Sequence, residues 1–346
     1  MLSKKAGLWA GATAAAGLAA AGLARRQPLP RESDVYKERL DSPFRIAGHE
    51  VFLPIEYHRS EAFQGLFTAD SGAVRAILPS DRLHPVLIRP GRAVFVVAVL
   101  RHHEATVREA DGGVIAVRPY GEVVLGPVVS ERKLPLALPV LRNPIPDDVG
   151  AWVMHMPVTT REARDLGRVA WGFPKFVADM EFREDGEDEG ERGLILAEGG
   201  REIFRFTLAE AGRARIQRSA TLLFTVLDGQ LIQTTCPATG YIRRAIRPKG
   251  SIILGTHPVA EELRQLGLSE RPFAGQVIAQ QRLLLPEGVP GGAARPYIGF
   301  GGVDRELGGY VVSYPGSSGV DLYAAPAGRP VAAGSWSAEV EGVAAR

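Results

Sequence analysis

One cysteine, Cys236, is all the thiol chemistry available to this chain of 346 residues. A lone cysteine excludes an internal disulfide and any zinc site built on thiolates. A surplus of either charge is also missing: 41 basic side chains face 39 acidic ones, for a formal net charge of +2. No basic stripe stands out, so nucleic acid is not an expected partner. Phosphate and nucleophile motifs are lacking too. Gly299-Phe300-Gly301-Gly302 does not have the spacing of a dinucleotide loop, and no serine sits in a G-x-S-x-G elbow. His49, His58, His84, His155 and His257 are scattered without ligand spacing. In His102-His103-Glu104, neighbouring side chains on a strand would point to opposite faces. Neither a metal nor an organic cofactor is expected.

Long, strongly apolar runs are scarce. The nearest is the uncharged stretch from Ala6 to Ala24, held between Lys4-Lys5 and Arg25-Arg26. It just reaches the length that spans a bilayer. Alanine and glycine dominate it, with Leu8, Trp9, Leu18 and Leu23 as its larger apolar residues, so insertion would be marginal. Residues 1–26 are read as an apolar leader or anchor. A cleaved signal ending near Ala19-Ala20-Ala21 and a loose alanine-rich extension remain open beside the anchor. If the segment inserts, Arg25, Arg26, Arg31, Lys37 and Arg39 argue for a cytoplasmic body tethered to the membrane. The expected location is cytoplasmic, with export as the alternative.

What is present reads as a soluble globular body, 45% apolar and 23% charged. Residues 27–42 are polar and proline-bearing, a linker. Residues 43–286 form the main domain, and residues 287–346 a Gly/Ala/Pro-rich extension, poorly ordered or strapped along the domain or a neighbouring subunit. Within the domain strands dominate. Ala93–Leu100 is one apolar run, and Val114–Val129 gives two strands broken at Arg118-Pro119-Tyr120-Gly121. Glu198-Gly199-Gly200 and Asp228-Gly229 are hairpin signals. The charged stretch Glu184–Arg192 is expected to be a solvated loop. Thr159 and Glu162 have capping-box spacing, with Gly167 placed to close that helix. Pro258–Leu266 reads as a second helix, with Val259, Leu263 and Leu266 on one face and Gly267 as its stop. Hairpins and isolated helices without βαβ alternation indicate a mainly β (α+β) chain, either a closed antiparallel sheet or a sandwich.

The most informative stretch is Trp171-Gly172-Phe173-Pro174-Lys175-Phe176, a lysine after a proline among three aromatic rings. Near pH 7 only about one ordinary lysine in two thousand is neutral. Apolar surroundings disfavour the ammonium, and a neutral amine can attack a ketone to form a Schiff base. The alternative is a lysine whose stem lies on a hydrophobic loop while its head stays wet.

Gly167-Arg168-Val169-Ala170 followed by WGFPKF resembles the lysine loop of the acetoacetate decarboxylase family. The resemblance places that family's Schiff-base lysine on Lys175. Tyr120-Gly121-Glu122 with VVLGPVV is similar to the segment carrying an active-site glutamate, which falls on Glu122. Ser251–Leu268 and Gly275–Pro286 resemble the closing strand-helix-strand passage, so the likeness runs from Pro43 to Pro286. It implies a closed or cone-like antiparallel β-barrel with a few short helices. It also implies decarboxylation of a β-keto acid through a lysine Schiff base. Trp171, Phe173, Phe176, Arg168 and Tyr120 would line the pocket. A small oxo acid is the expected partner, and a homo-oligomer the expected assembly.

Three departures bear on the chemistry. Phe176 stands where family members commonly have a second lysine, Val169 replaces the glutamate of Gly-Arg-Glu, and His49 is nearest to where an arginine is expected. With no cationic neighbour, desolvation alone would have to activate Lys175. Schiff-base aldol or dehydration chemistry on another oxo acid, and a non-catalytic barrel for an apolar ligand, are the competing functions. Glu122 read without the resemblance is an exposed strand glutamate.

Overall fold

The computed structural model describes residues 44–46, 49–134, 148–184 and 190–295. The leader, the linker, the middle of the charged stretch at 184–192 and the extension from residue 296 lie outside the described residues.

Strands β1 (Phe44–Ile46) and β2 (His49–Asp70) lead into helix α1 (Ser71–Ile77). Then come β3 (His84–Pro85), β4 (Leu87–Arg89), β5 (Arg92–Glu109), β6 (Val114–Val117) and β7 (Tyr120–Ser130). Short strands β8 (Val149–Trp152) and β9 (Met156–Val158) precede helix α2 (Arg161–Trp171) and β10 (Lys175–Val177). Four strands follow: β11 (Asp179–Glu184), β12 (Glu191–Glu198), β13 (Arg201–Ala209) and β14 (Arg215–Leu227). The described chain closes with β15 (Gln230–Ile246), β16 (Gly250–Leu254), helix α3 (Pro258–Gln265), β17 (Ala274–Leu285) and β18 (Val289–Ala293).

The large sheet closes on itself. Its path β7-β8-β14-β15-β17-β2-β5 returns to β7 through a β5–β7 ladder, making a cone-like ring of seven strands. Most neighbours are antiparallel, as expected. The β8–β14 and β9–β10 pairs are parallel, so the sheet is mixed. A second sheet, in the order β11-β12-β13-β16, is wholly antiparallel.

Pattern explains placement. β7 is buried along its entire length, and Ala93–Val97 of β5 is buried residue after residue. Such runs belong to strands covered on both faces. In β13 the inward Phe204, Phe206 and Leu208 alternate with outward Arg205, as a half-covered strand requires. Both hairpin signals form turns: Gly199 and Gly200 have φ of 56° and 77°, Asp228 and Gly229 of 50° and 72°. Helix α3 runs as expected, with Val259 and Leu263 buried and Gly267 at φ 62° just beyond it.

Helix α2 departs from its expected ends. Its cap is Thr160, whose side chain accepts from the backbone N–H of Ala163, because the Thr159 hydroxyl is taken by the N–H of Gly121 at 3.0 Å. Gly167 does not stop the helix, which continues to Gly172 at φ 64°. A side chain at Gly172 would meet the Val226 carbonyl oxygen at 2.2 Å, so both conformation and space demand glycine there.

Candidate active site

The α2–β10 connection builds the site from below. Buried Arg168, in the last turn of α2, donates from Nε to the carbonyl oxygen of Lys175 at 2.8 Å and so fixes the start of β10. The lysine side chain lies back over the helix at Gly167. A Cβ there would stand 2.6 Å from its Cδ and Cε. That is why a helix interior tolerates a glycine costing about 1 kcal/mol relative to alanine.

The Lys175 amine reaches Glu122 Oε2 at 2.7 Å. Both side chains are buried, at 3% and 11% exposure. Glu122 comes from β7, opposite Leu100 of β5. Two residues along that ladder His102 faces Tyr120, which brings His102 Nε2 to 4.0 Å from Glu122 Oε1. His102 Nδ1 lies 2.8 Å from the Ser60 hydroxyl. Its ring sits against Tyr57 and Tyr120, with centroids 4.3 and 4.7 Å away. The two tyrosine hydroxyls share a 2.7 Å hydrogen bond. The amine lies 5.5 and 5.6 Å from the ring centres of Phe173 and Tyr120, within cation–π range.

Two bulges make this grouping possible. The β2–β5 ladder pairs Tyr57 with Ala105, Arg59 with Glu104 and Ser60 with His102. His58 is thus extra on β2 and His103 extra on β5. Tyr57 and Ser60, three residues apart, would face opposite ways on a regular strand. The bulge turns both towards His102, as bulges beside functional sites often do. His103, on the other face, pairs with Glu61 at 3.0 Å.

Burial acts to raise the Glu122 pKa, but the Lys175 charge and the contact with His102 outweigh it and bring it from 4.5 to about 2. His102 is pushed down, chiefly by burial, and is neutral near pH 7. Burial raises both tyrosines, with the Glu122 charge adding to it, so they remain hydroxyl donors. Cys236 is pushed up to about 12, mainly by burial. The centre therefore holds one anion, one buried amine and several neutral polar groups, beside a cavity that Lys175, Tyr57, Tyr120 and Trp171 help to line.

The structure brings together Lys175, Glu122, Tyr120, Trp171 and Phe173 from the residues singled out in the sequence. Phe176 is a correction to the expected pocket. Consecutive strand residues face opposite ways, so Phe176 turns into the main core, edge-on to His155 at 6.4 Å. Arg168 supports the lysine loop and does not line the cavity. Sequence reading missed Tyr57 and Ser60, and weighed His102 only as a metal ligand. Their meeting depends on two ladders and a bulge. The available signal was a histidine just past the apolar run Ala93–Leu100, on the same strand face as Leu100.

A family model described as acetoacetate decarboxylase (ADC) matches residues 41–285. Among solved structures, acetoacetate decarboxylase from Legionella pneumophila is similar at 17% identity and a TM-score of 0.51, covering 78% of this chain and 99% of that one. An acetoacetate decarboxylase-like enzyme from Sphingomonas wittichii is 15% identical, with a TM-score of 0.45 and coverages of 69% and 92%. The enduracididine biosynthesis enzyme MppR, complexed with a condensation product of pyruvate and imidazole 4-carboxaldehyde, is 14% identical, with a TM-score of 0.47 and coverages of 69% and 89%. No curated protein matches the chain.

Proposed function

The chain belongs to the acetoacetate decarboxylase family, and we propose that it is a carbon–carbon lyase that decarboxylates a β-keto acid through a Schiff base on Lys175. The observation that carries this reading is the 2.7 Å contact between the buried Lys175 amine and Glu122 at the wall of a cavity.

A substrate that strips water from this pair disfavours both charges, so the shared proton passes from Nζ to Oε2 and leaves a neutral amine. That amine adds to the ketone carbon, and loss of water gives an iminium. The bond between the carboxylate and its neighbouring carbon then breaks. Its electron pair moves towards the iminium nitrogen, carbon dioxide leaves, and an enamine remains. Protonation at carbon and addition of water release the ketone and restore the lysine. The iminium and carboxylate charges disappear in the breaking step, so apolar walls favour it over the zwitterion that precedes it. Glu122 is the proton carrier at nitrogen, and His102 positions Glu122. Tyr57 and Tyr120 supply neutral hydroxyls nearby. That hydroxyl pair favours one second reading, in which the enamine meets an aldehyde and an aldol adduct is dehydrated.

Borohydride reduction with a panel of oxo acids tests the reading. One adduct on Lys175, absent from Lys175→Ala, with carbon dioxide released from β-keto acids, is the expected result. Adducts without carbon dioxide would favour the aldol reading. No adduct with any oxo acid would leave only a ligand-binding barrel.

A further inference from the structure

Beyond Lys175 one whole wall of the cavity is apolar. Val51 and Ile55 of β2, Val107 of β5, Ile115 and Val117 of β6, and Leu285 of β17 form its wall. Among the described residues, Lys175 is the only cationic side chain that lines it, and Glu162 the only carboxylate. A substrate as small as acetoacetate has a single methyl group to place against these six aliphatic side chains. The wall is also distinct from the chemistry, because it comes from β2, β5, β6 and β17, whereas the Lys175–Glu122 contact is made between β10 and β7. Four of the six, Val51, Ile55, Val107 and Leu285, are buried, while Ile115 and Val117 are half-buried on β6, which among the described residues pairs only with β5. These two lie where the wall meets the surface, and a chain entering past them would run along the buried four.

We infer that the cavity, whose enclosed space is about 20 Å³, binds the start of its substrate's acyl tail, so that the preferred substrates are 3-oxo acids with a short unbranched apolar chain leading out past Ile115 and Val117. This rests on the Lys175 reading for the reacting end, while the tail site stands on the wall alone. Ile115 and Val117 are its specificity-determining residues.

Each methylene taken from water into such a wall is expected to improve binding roughly fourfold until the cavity is filled. Two measurements separate the tail from the chemistry. The first compares kcat/KM for acetoacetate, 3-oxohexanoate and 3-oxooctanoate with the full chain. The second measures, by calorimetry, binding of 2-butanone, 2-hexanone and 2-octanone to Lys175→Ala, which cannot form a Schiff base. Both series should rise with chain length. Val117→Phe should abolish the rise at the long end of both series, and Val117→Leu, which keeps the test should the larger ring disturb folding, should do so more weakly. A rise in the ketone series with no turnover of any acid would sustain the tail site and sink the decarboxylase reading. Flat ketone and acid series, or a rise untouched by both Val117 variants, would overturn the tail site whatever Lys175 does.

Discussion

The two sides of the ring make their interiors from similar residues and use them differently. Between the ring and the four-stranded sheet, Phe63 and Phe67 close on Phe206 at 5.3 and 5.7 Å and fill the middle of that core. The pocket left beside Phe63, under Glu61, Arg101 and Arg192, holds no buried amine among the described residues. On the other side, Leu53, Val124, Leu166 and Trp171 form an equally apolar cluster, yet it surrounds Lys175, Glu122, His102 and a cavity. A filled core stabilises through contacts that any shape-matched set of side chains could make. A hollow one must hold particular groups at particular distances, and closing it would remove its chemistry. Residues from the filled side should therefore report mainly on stability, and those from the hollow side mainly on reaction.

The largest effect expected on the hollow side is Lys175→Ala, which should abolish borohydride-trapped adduct while the thermal transition stays cooperative. On the filled side, Phe206→Ala should lower unfolding free energy by about 3–5 kcal/mol in denaturant titration, and the surviving folded fraction should still form adduct. A specific loss of adduct there would break the contrast. Glu122 sharpens it through pH. Its folded pKa lies near 2 against an ordinary 4.5. Between those values the unfolded chain binds a proton that the folded chain does not, so stability falls as pH drops from about 4.5 to about 2. Glu122→Gln should remove on the order of 3 kcal/mol of that acid-side dependence, whereas Phe206→Ala should leave its shape unchanged.

Smaller effects follow. Gly167→Ala should slow adduct formation roughly 100-fold by pushing the lysine stem aside, since a displacement of about 1 Å can cost that much. Its cost to folding should be slight by comparison. The smallest effect belongs to His102→Gln, which should reduce turnover roughly three- to tenfold by giving up the Ser60 hydrogen bond that holds the ring 4.0 Å from Glu122. Because His102 helps hold the Glu122 pKa down, the acid limb of the pH profile should also move upward in this variant. A merely structural histidine would leave that limb in place.

Local signals in the sequence reached the strands, the hairpins and α3, because alternation, glycine pairs and caps act over a few residues. Lys175 stood out by its place after a proline among aromatic rings, with the snorkelling alternative open, whereas Glu122 was legible only through resemblance to a family. Nothing across a separation of 53 positions states that β7 and β10 bring them together. Phe176 went astray because hexapeptide proximity was taken for spatial proximity, where β10 separates its neighbours by face. Gly167 looked like a helix stop because the lysine that needs its bare backbone returns only eight residues later. His102, Ser60 and Tyr57 were hidden by parity: a regular reading of β2 cannot put Tyr57 and Ser60 on the same side.

That parity has a consequence for how this sequence tolerates change. His58 and His103 act as paired phase shifts, one on each strand. Losing either residue alone would leave β2 and β5 one step out of phase. Either the His102 end or the Val51–Tyr57 end could then keep its pairing, but not both with their present faces inward. Losing both would restore an even ladder and still turn the aliphatic wall from interior to exterior relative to Lys175. Substitutions along these strands can be accepted one at a time, whereas a single-residue deletion at either histidine rewrites the lining of a whole compartment. Deleting His58 should therefore leave a strand-rich circular dichroism spectrum while erasing the chain-length preference of the pocket.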